Sequence, residues 1–174
     1  IRRPPRSTLS SSSAASDVYK RQILSIDSSE AMIARAQSRL SKELMRRVEF
    51  LCYDYRKILD KFDVILSCNQ YQTLRKQDRL EFRKTVKSCL NANGTLFLST
   101  LSINDAVYKG QIAGERDEQY IMAGGDYLHL SKREDIENEF GFLNISALFE
   151  RECYQNNDKE KRKSLLWFLM GDNK

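Results

Sequence analysis

Residues 23–37 read ILSIDSSEAMIARAQ, and this stretch decides the fold. Ile23-Leu24-Ser25-Ile26-Asp27 is a short apolar run closed by an acid, the pattern of a buried strand. Ser28 or Ser29 then caps a helix, in which Ala31, Met32, Ala34, Ala36 and Leu40 supply helix formers and an apolar stripe. The same strand-to-acid pattern returns at Val48-Glu49-Phe50-Leu51-Cys52, followed by Asp54. A third strand is predicted over Phe62–Ser67, then a polar loop from Cys68 to Leu74. Residues 76–91 read as an amphipathic helix with Leu80, Phe82, Val86 and Leu90 on its apolar side. Asn93-Gly94 ends it, as residues tolerant of positive φ should, and Thr95–Leu101 is the next strand. Strand alternating with helix predicts an α/β domain on a mainly parallel sheet.

The spacing then changes. Residues 102–128 are polar and contain Gly110, Gly114, Gly124 and Gly125. That is too long for an ordinary connection, so a lid or substrate loop carrying some helix is predicted there. Ser131 is the expected cap of a helix reaching about Phe140, with Glu134 in a capping-box position and Gly141 as its stop. Leu143–Cys153 and Ser164–Met170 read as strands joined by the charged turn 156–163. A connection that short permits an antiparallel hairpin and forbids a parallel crossover.

The chain has 174 residues, which argues for one domain. Hydrophobic residues make up 41% and charged residues 30%, enough apolar material for a core and too much for a disordered chain. No apolar run approaches the roughly 20 residues of a membrane helix. Cys52, Cys68, Cys89 and Cys153 are scattered with no Cys-x-x-Cys pair, so reduced thiols in the cytoplasm are expected, not a disulfide frame or a zinc site. The net charge of +5 is unevenly placed. Residues 1–22 hold Arg2, Arg3, Arg6, Lys20 and Arg21 against Asp17 alone, so the rest of the chain is nearly neutral. A nearly neutral body argues against nucleic acid as a partner.

Residues 1–22 also hold both prolines of the chain, Pro4 and Pro5, and six serines, with no apolar period. This composition break sets the expected boundary: a leader over 1–22, non-native or without fixed structure, and a domain over 23–174. A targeting peptide or a flexible basic tail would share some of this composition. The segments IRRPPRST and DVYKRQ resemble translated sequencing-adapter read-through at the ends of metagenomic gene fragments, and that reading is favoured.

The acids at strand ends carry the chemistry. Ligands of open parallel sheets sit outside the carboxyl ends of the strands. Asp27 can there accept hydrogen bonds from a ribose diol, or simply stabilise the start of the next helix. Asp54 can accept from the exocyclic amine of adenine with Tyr55 beside the ring, or cap its own turn. Asn69, after the third strand, can meet a cofactor's amino-acid end or a substrate, or be a plain loop residue. Tyr71 and Tyr127 are candidate substrate contacts. The lone histidine, His129, is a candidate base or a packed strand-end residue.

Taken in order, ILSIDSSEAMIARAQ, VEFLCYDY, FDVILSCNQYQTL and LNANGTLFLSTL resemble the class I S-adenosylmethionine-dependent methyltransferases. The resemblance covers about residues 23–170. It implies a Rossmann-like sheet closed by a C-terminal antiparallel hairpin, with S-adenosylmethionine as cofactor. It further implies that Asp27, Ser28, Met32, Asp54, Tyr55 and Asn69 bind that cofactor, and that a small molecule takes the methyl group. The loop Ser67-Cys68-Asn69-Gln70 lacks the Asn/Asp-Pro-Pro-Tyr and Pro-Cys patterns of nucleic-acid methylases. The family's first strand and its glycine-rich turn should precede Ile23 and are not found there. The expectation is therefore a fragment of a longer enzyme that binds cofactor weakly or not at all. A nicotinamide-nucleotide-binding Rossmann protein and a catalytically silent methyltransferase-like module are the alternatives.

Overall fold

A computed structural model describes residues 23–108, 112–113, 120–123, 126–157 and 160–174. The chain divides into two compact units, residues 1–57 and 58–174. The expected leader lies outside the described residues.

In the first unit, β1 (Ile23–Asp27) and β2 (Val48–Cys52) pair in parallel, with Ile23 opposite Val48 and Asp27 opposite Cys52. A parallel pair needs a crossover, and α1 (Glu30–Ser38) with the single turn α2 (Lys42–Met45) supplies it. Of the two candidate serines, Ser29 is the cap of α1: its Oγ accepts from the Met32 amide at 3.4 Å. Only Ile33 of α1 is buried, while Met32 is 50% exposed. Of the expected stripe, Ala31, Met32 and Ala34 are exposed and Ala36 and Leu40 half-buried, while the buried position falls to Ile33. A nine-residue helix has room for little more on the face it turns to its strands.

In the second unit, β3 (Phe62–Cys68), β4 (Leu90–Leu101), β8 (Glu160–Asn173) and β7 (Leu143–Asn157) lie side by side in that order. β3 and β4 are parallel, and α3 (Lys76–Cys89) makes the crossover. β7 and β8 form the predicted antiparallel hairpin, and β8 also pairs antiparallel with β4. The hairpin is longer than the sequence pattern indicated. The charged turn lies partly outside the described residues.

α3 buries Arg79, Phe82, Val86 and Cys89, one face at helical spacing, and leaves Leu80 exposed. An arginine thus occupies a position that hydrophobicity alone assigned to leucine. β4 starts at Leu90, earlier than the expected Thr95. Asn93 does take a positive φ of 61°, but inside the strand's first residues and not as a helix stop.

Within the expected lid, the described residues include an antiparallel hairpin, β5 (Tyr120–Ala123) and β6 (Asp126–His129), and no helix occurs there among them. Gly110, Gly114, Gly124 and Gly125 lie outside the described residues. Leu101, Tyr108, Leu130 and Leu166 pack with Ile121 of β5 into one buried cluster. Asp105, 1% exposed, ties this region down: its carboxylate accepts from the Val107 amide at 2.9 Å and the Leu165 amide at 2.7 Å.

The helix α4 (Arg133–Glu139) is capped at Lys132, not Ser131, and Asp135, not Glu134, accepts from the Lys132 amide at 3.3 Å. The reason is that Ser131 is already used as extended backbone. Its amide donates to Leu101 O, and its carbonyl accepts from Ile103 N and from Trp167 Nε1 at 3.1 Å.

The two sheet faces of this unit differ. On one side Tyr71 packs edge-on against Phe82, with ring centroids 5.4 Å apart, and against Phe140 at 5.3 Å. The opposite side carries Val64, Leu66, Phe97 and Phe149, which register and alternation place on one face and which are all exposed, Leu66 by 70%. No helix among the described residues is long and apolar enough to cross a membrane.

Candidate functional site

In the first unit the parallel pairing brings the carboxyl ends of β1 and β2 to one edge, since Asp27 lies opposite Cys52 and Tyr53 N donates to Asp27 O at 3.0 Å. Two carboxylates therefore flank that edge, Asp27 and Asp54. Asp27 is half-buried, and its Oδ1 accepts from the Ser29 amide at 2.8 Å, which fixes the carboxylate beside the start of α1. Ser28 is exposed, and its carbonyl accepts from Cys52 Sγ at 3.5 Å, a second link between the two strand ends. Asp54 opens the 3₁₀ turn Tyr55–Lys57. Arg56 grips its carboxylate with Nε at 2.9 Å and Nη2 at 2.8 Å, and the Arg56 amide adds a bond of 3.0 Å. These hydrogen bonds hold the Asp54 carboxyl down at about 2, so it stays an anion. Tyr55 is half-buried in the same turn.

In the second unit, Asn69 follows β3 with a positive φ of 58°, a conformation asparagine tolerates. Its amide donates to Ser99 O at 3.1 Å, and its Oδ1 accepts from Ser99 Oγ at 3.2 Å. Tyr71, two residues on, is fully buried. Its hydroxyl donates to Glu139 Oε2 at 2.7 Å and accepts from Arg83 Nη1 at 2.7 Å. Arg83 also reaches Glu139 Oε1 at 2.9 Å. Burial first, then the Glu139 charge, pushes the Tyr71 phenol well above its ordinary range. The next helical turn back, the buried Arg79 donates to Leu74 O at 3.1 Å and to Tyr127 Oη at 3.3 Å. Tyr127 stacks on Tyr120 at 5.1 Å, and Arg75 lies over its ring at 5.1 Å. His129, opposite Tyr120, is buried at 3% exposure.

Residues 8–94 match the family model described as a methyltransferase domain, half of the chain. The chain belongs to that family. No curated protein matches this methyltransferase at a significant level. Solved structures resemble it in fold. A methyltransferase described as S-adenosylmethionine-dependent, from Methanosarcina mazei, has 14% identity and a TM-score of 0.71 over 92% of this chain and 86% of its own. Magnesium protoporphyrin IX methyltransferase from Synechocystis, with bound S-adenosylhomocysteine, has 16% identity and a TM-score of 0.61 over 88% of this chain and 64% of its own. N-methyltransferase NodS from Bradyrhizobium japonicum, also with S-adenosylhomocysteine, has 15% identity and a TM-score of 0.55 over 87% of this chain and 66% of its own.

The methyltransferase fold thus gathers the sequence candidates in two groups. Asp27, Ser28, Met32, Asp54 and Tyr55 belong to the first unit, and Asn69, Tyr71, Tyr127 and His129 to the second. Sequence reasoning missed Arg79, Arg83 and Glu139. The only available signal was the spacing of Arg79, Phe82 and Val86, which repeats every three or four residues and puts the arginine on the core face.

Proposed function

We propose that this methyltransferase passes the methyl group of S-adenosylmethionine to a small-molecule acceptor. The observation that carries the reading is the pair of carboxylates at the shared carboxyl edge of β1 and β2, one fixed by Ser29 and the other kept ionised by Arg56. An anion at each strand end matches the hydroxyl and amine donors of an adenosine group. Asp27 commits one oxygen to Ser29, which leaves the other to accept from ribose hydroxyls, with Ser28 and Met32 alongside. Asp54 accepts from the adenine amine while Tyr55 lies along the ring, because an ionised carboxylate has about four lone-pair sites and Arg56 leaves some of them open. The bound cofactor supplies a sulfonium methyl that is already activated toward displacement.

The protein's own task is then to bind, align and dry the reactants. Asn69, held by Ser99, is the candidate for the cofactor's amino-acid end or the acceptor. Tyr127 and His129 on β6 contact the acceptor, and His129 receives its proton where the acceptor must lose one. Tyr71 supports this group from the core, its hydroxyl committed to Glu139 and Arg83.

Calorimetric titration with S-adenosylhomocysteine tests the reading. A charge-assisted hydrogen bond contributes about 1.5–3 kcal/mol, so Asp27→Asn and Asp54→Asn should each weaken binding by roughly 10- to 100-fold. Both side chains are half-buried, but asparagine keeps an oxygen for the Ser29 and Arg56 amides, so the melting temperature should change little. Unchanged affinity in both variants would sink the assignment.

A further inference from the structure

Two buried side-chain oxygens, Ser67 Oγ and Gln72 Oε1, have no hydrogen-bond partner among the described residues. Ser67 is 5% exposed and Gln72 8%. Both lie on the short segment that runs from the carboxyl end of β3 into the 3₁₀ turn Tyr71–Thr73. Their neighbours are satisfied by the protein: Asn69 by Ser99, Tyr71 by Glu139 and Arg83, and Thr73 Oγ1 by Gln70 O at 2.7 Å. A buried oxygen without a partner costs about 1–3 kcal/mol, and folded proteins hold few of them. Nothing among the described residues returns that cost, but a ligand carrying a donor would. The turn that holds Gln72 packs against β6, the strand of Tyr127 and His129. The turn of Gln72 thus adjoins the strand that carries the residues assigned above to the methyl acceptor.

We propose that Gln72 selects the acceptor. Its carboxamide oxygen receives a hydrogen bond from an N–H or O–H group of an amine or hydroxyl compound. The inference rests on the methyl-transfer reading for the identity of the ligand, but not for the existence of the site. A site built to pair a donor rejects analogues that lack one, because its own oxygen is then left orphaned. A thioether, or an amine or phenol already fully methylated, is excluded by the same logic.

The test uses the full 174-residue chain and the variant Gln72→Leu. The first measurement is thermal melting without ligand. Leucine replaces an orphaned carbonyl by an apolar group, so the melting temperature should stay level or rise. A fall of more than about 4 °C would show that the oxygen is bonded within the fold, and would overturn the proposal. The second is ligand-observed NMR with two matched pairs, phenol against anisole and aniline against N,N-dimethylaniline. The unsubstituted protein should prefer the donor-bearing member of at least one pair by tenfold or more, and Gln72→Leu should bring that ratio within twofold. No preference in the unsubstituted protein, or a preference that survives in Gln72→Leu, overturns the proposal. Release of S-adenosylhomocysteine is followed separately. A Gln72-dependent preference supports the site whether or not methyl transfer follows, and the methyl-transfer reading stands or falls on the cofactor titration of the Asp27 and Asp54 variants.

Discussion

At the scale of single residues, Asp54 and Tyr71 titrate at opposite extremes. Asp54 is drawn down to about 2 by its hydrogen bonds from Arg56. A carboxyl lowered on folding adds stability above its unfolded value, and that contribution is lost as pH falls from about 4 toward 2. Arg56→Ala should return the Asp54 carboxyl toward 3.8, as followed by its carbon chemical shift in NMR. Tyr71 behaves in the reverse sense. Its phenol is raised, so the stability it adds is present below the ordinary tyrosine value near 10 and is lost as pH climbs above it. Tyr71→Phe removes a donor to Glu139 and an acceptor for Arg83, and should cost about 1–3 kcal/mol in denaturant unfolding. The strand-end acids were legible because a strand and its terminal residue are adjacent in the sequence. The burial of Tyr71 was not legible: it depends on Phe82, Phe140 and Glu139, which only folding brings to it.

At the scale of elements, periodicity made β1 to β4, α1, α3, α4 and the closing hairpin legible, with errors at their ends, whereas α2 and the β5–β6 hairpin, in a region expected to carry some helix, were not. Ser131 has the chemistry of a cap but is drawn into pairing beside Leu101 and beneath Trp167, so the cap moves one residue on. The pairing partner lies some thirty residues away, where no local rule looks. The shift has a measurable consequence. Asp135→Ala should destabilise the protein by about 0.5–1.5 kcal/mol in urea melts, while Glu134→Ala should cost far less. Equal costs would mean that α4 starts where the sequence pattern put it. On α3 the same kind of competition puts Arg79 on the buried face, because its guanidinium finds Leu74 O and Tyr127 Oη to satisfy it. Composition alone cannot signal that a charge will find partners.

At the scale of the whole molecule, the α/β class was legible from the alternation of strand and helix through residue 101, and the closing antiparallel hairpin from its short connection. The exposed apolar face of Val64, Leu66, Phe97 and Phe149 was not, since apolar residues on a strand read as core until the layers are known. Nor was the division into two compact units, because no composition break marks residue 57. That division meets one further feature. Trp167 is the sole tryptophan of the chain, buried in β8 with its indole N–H on Ser131 O. Its intrinsic fluorescence is therefore a private reporter of the second unit, blue-shifted while that unit is folded. Far-ultraviolet circular dichroism sees α1, β1 and β2 as well. If the units melt independently, a urea titration will show a dichroism transition with no fluorescence counterpart, and that step belongs to the unit that holds Asp27 and Asp54. Coincident curves would mean that they unfold together.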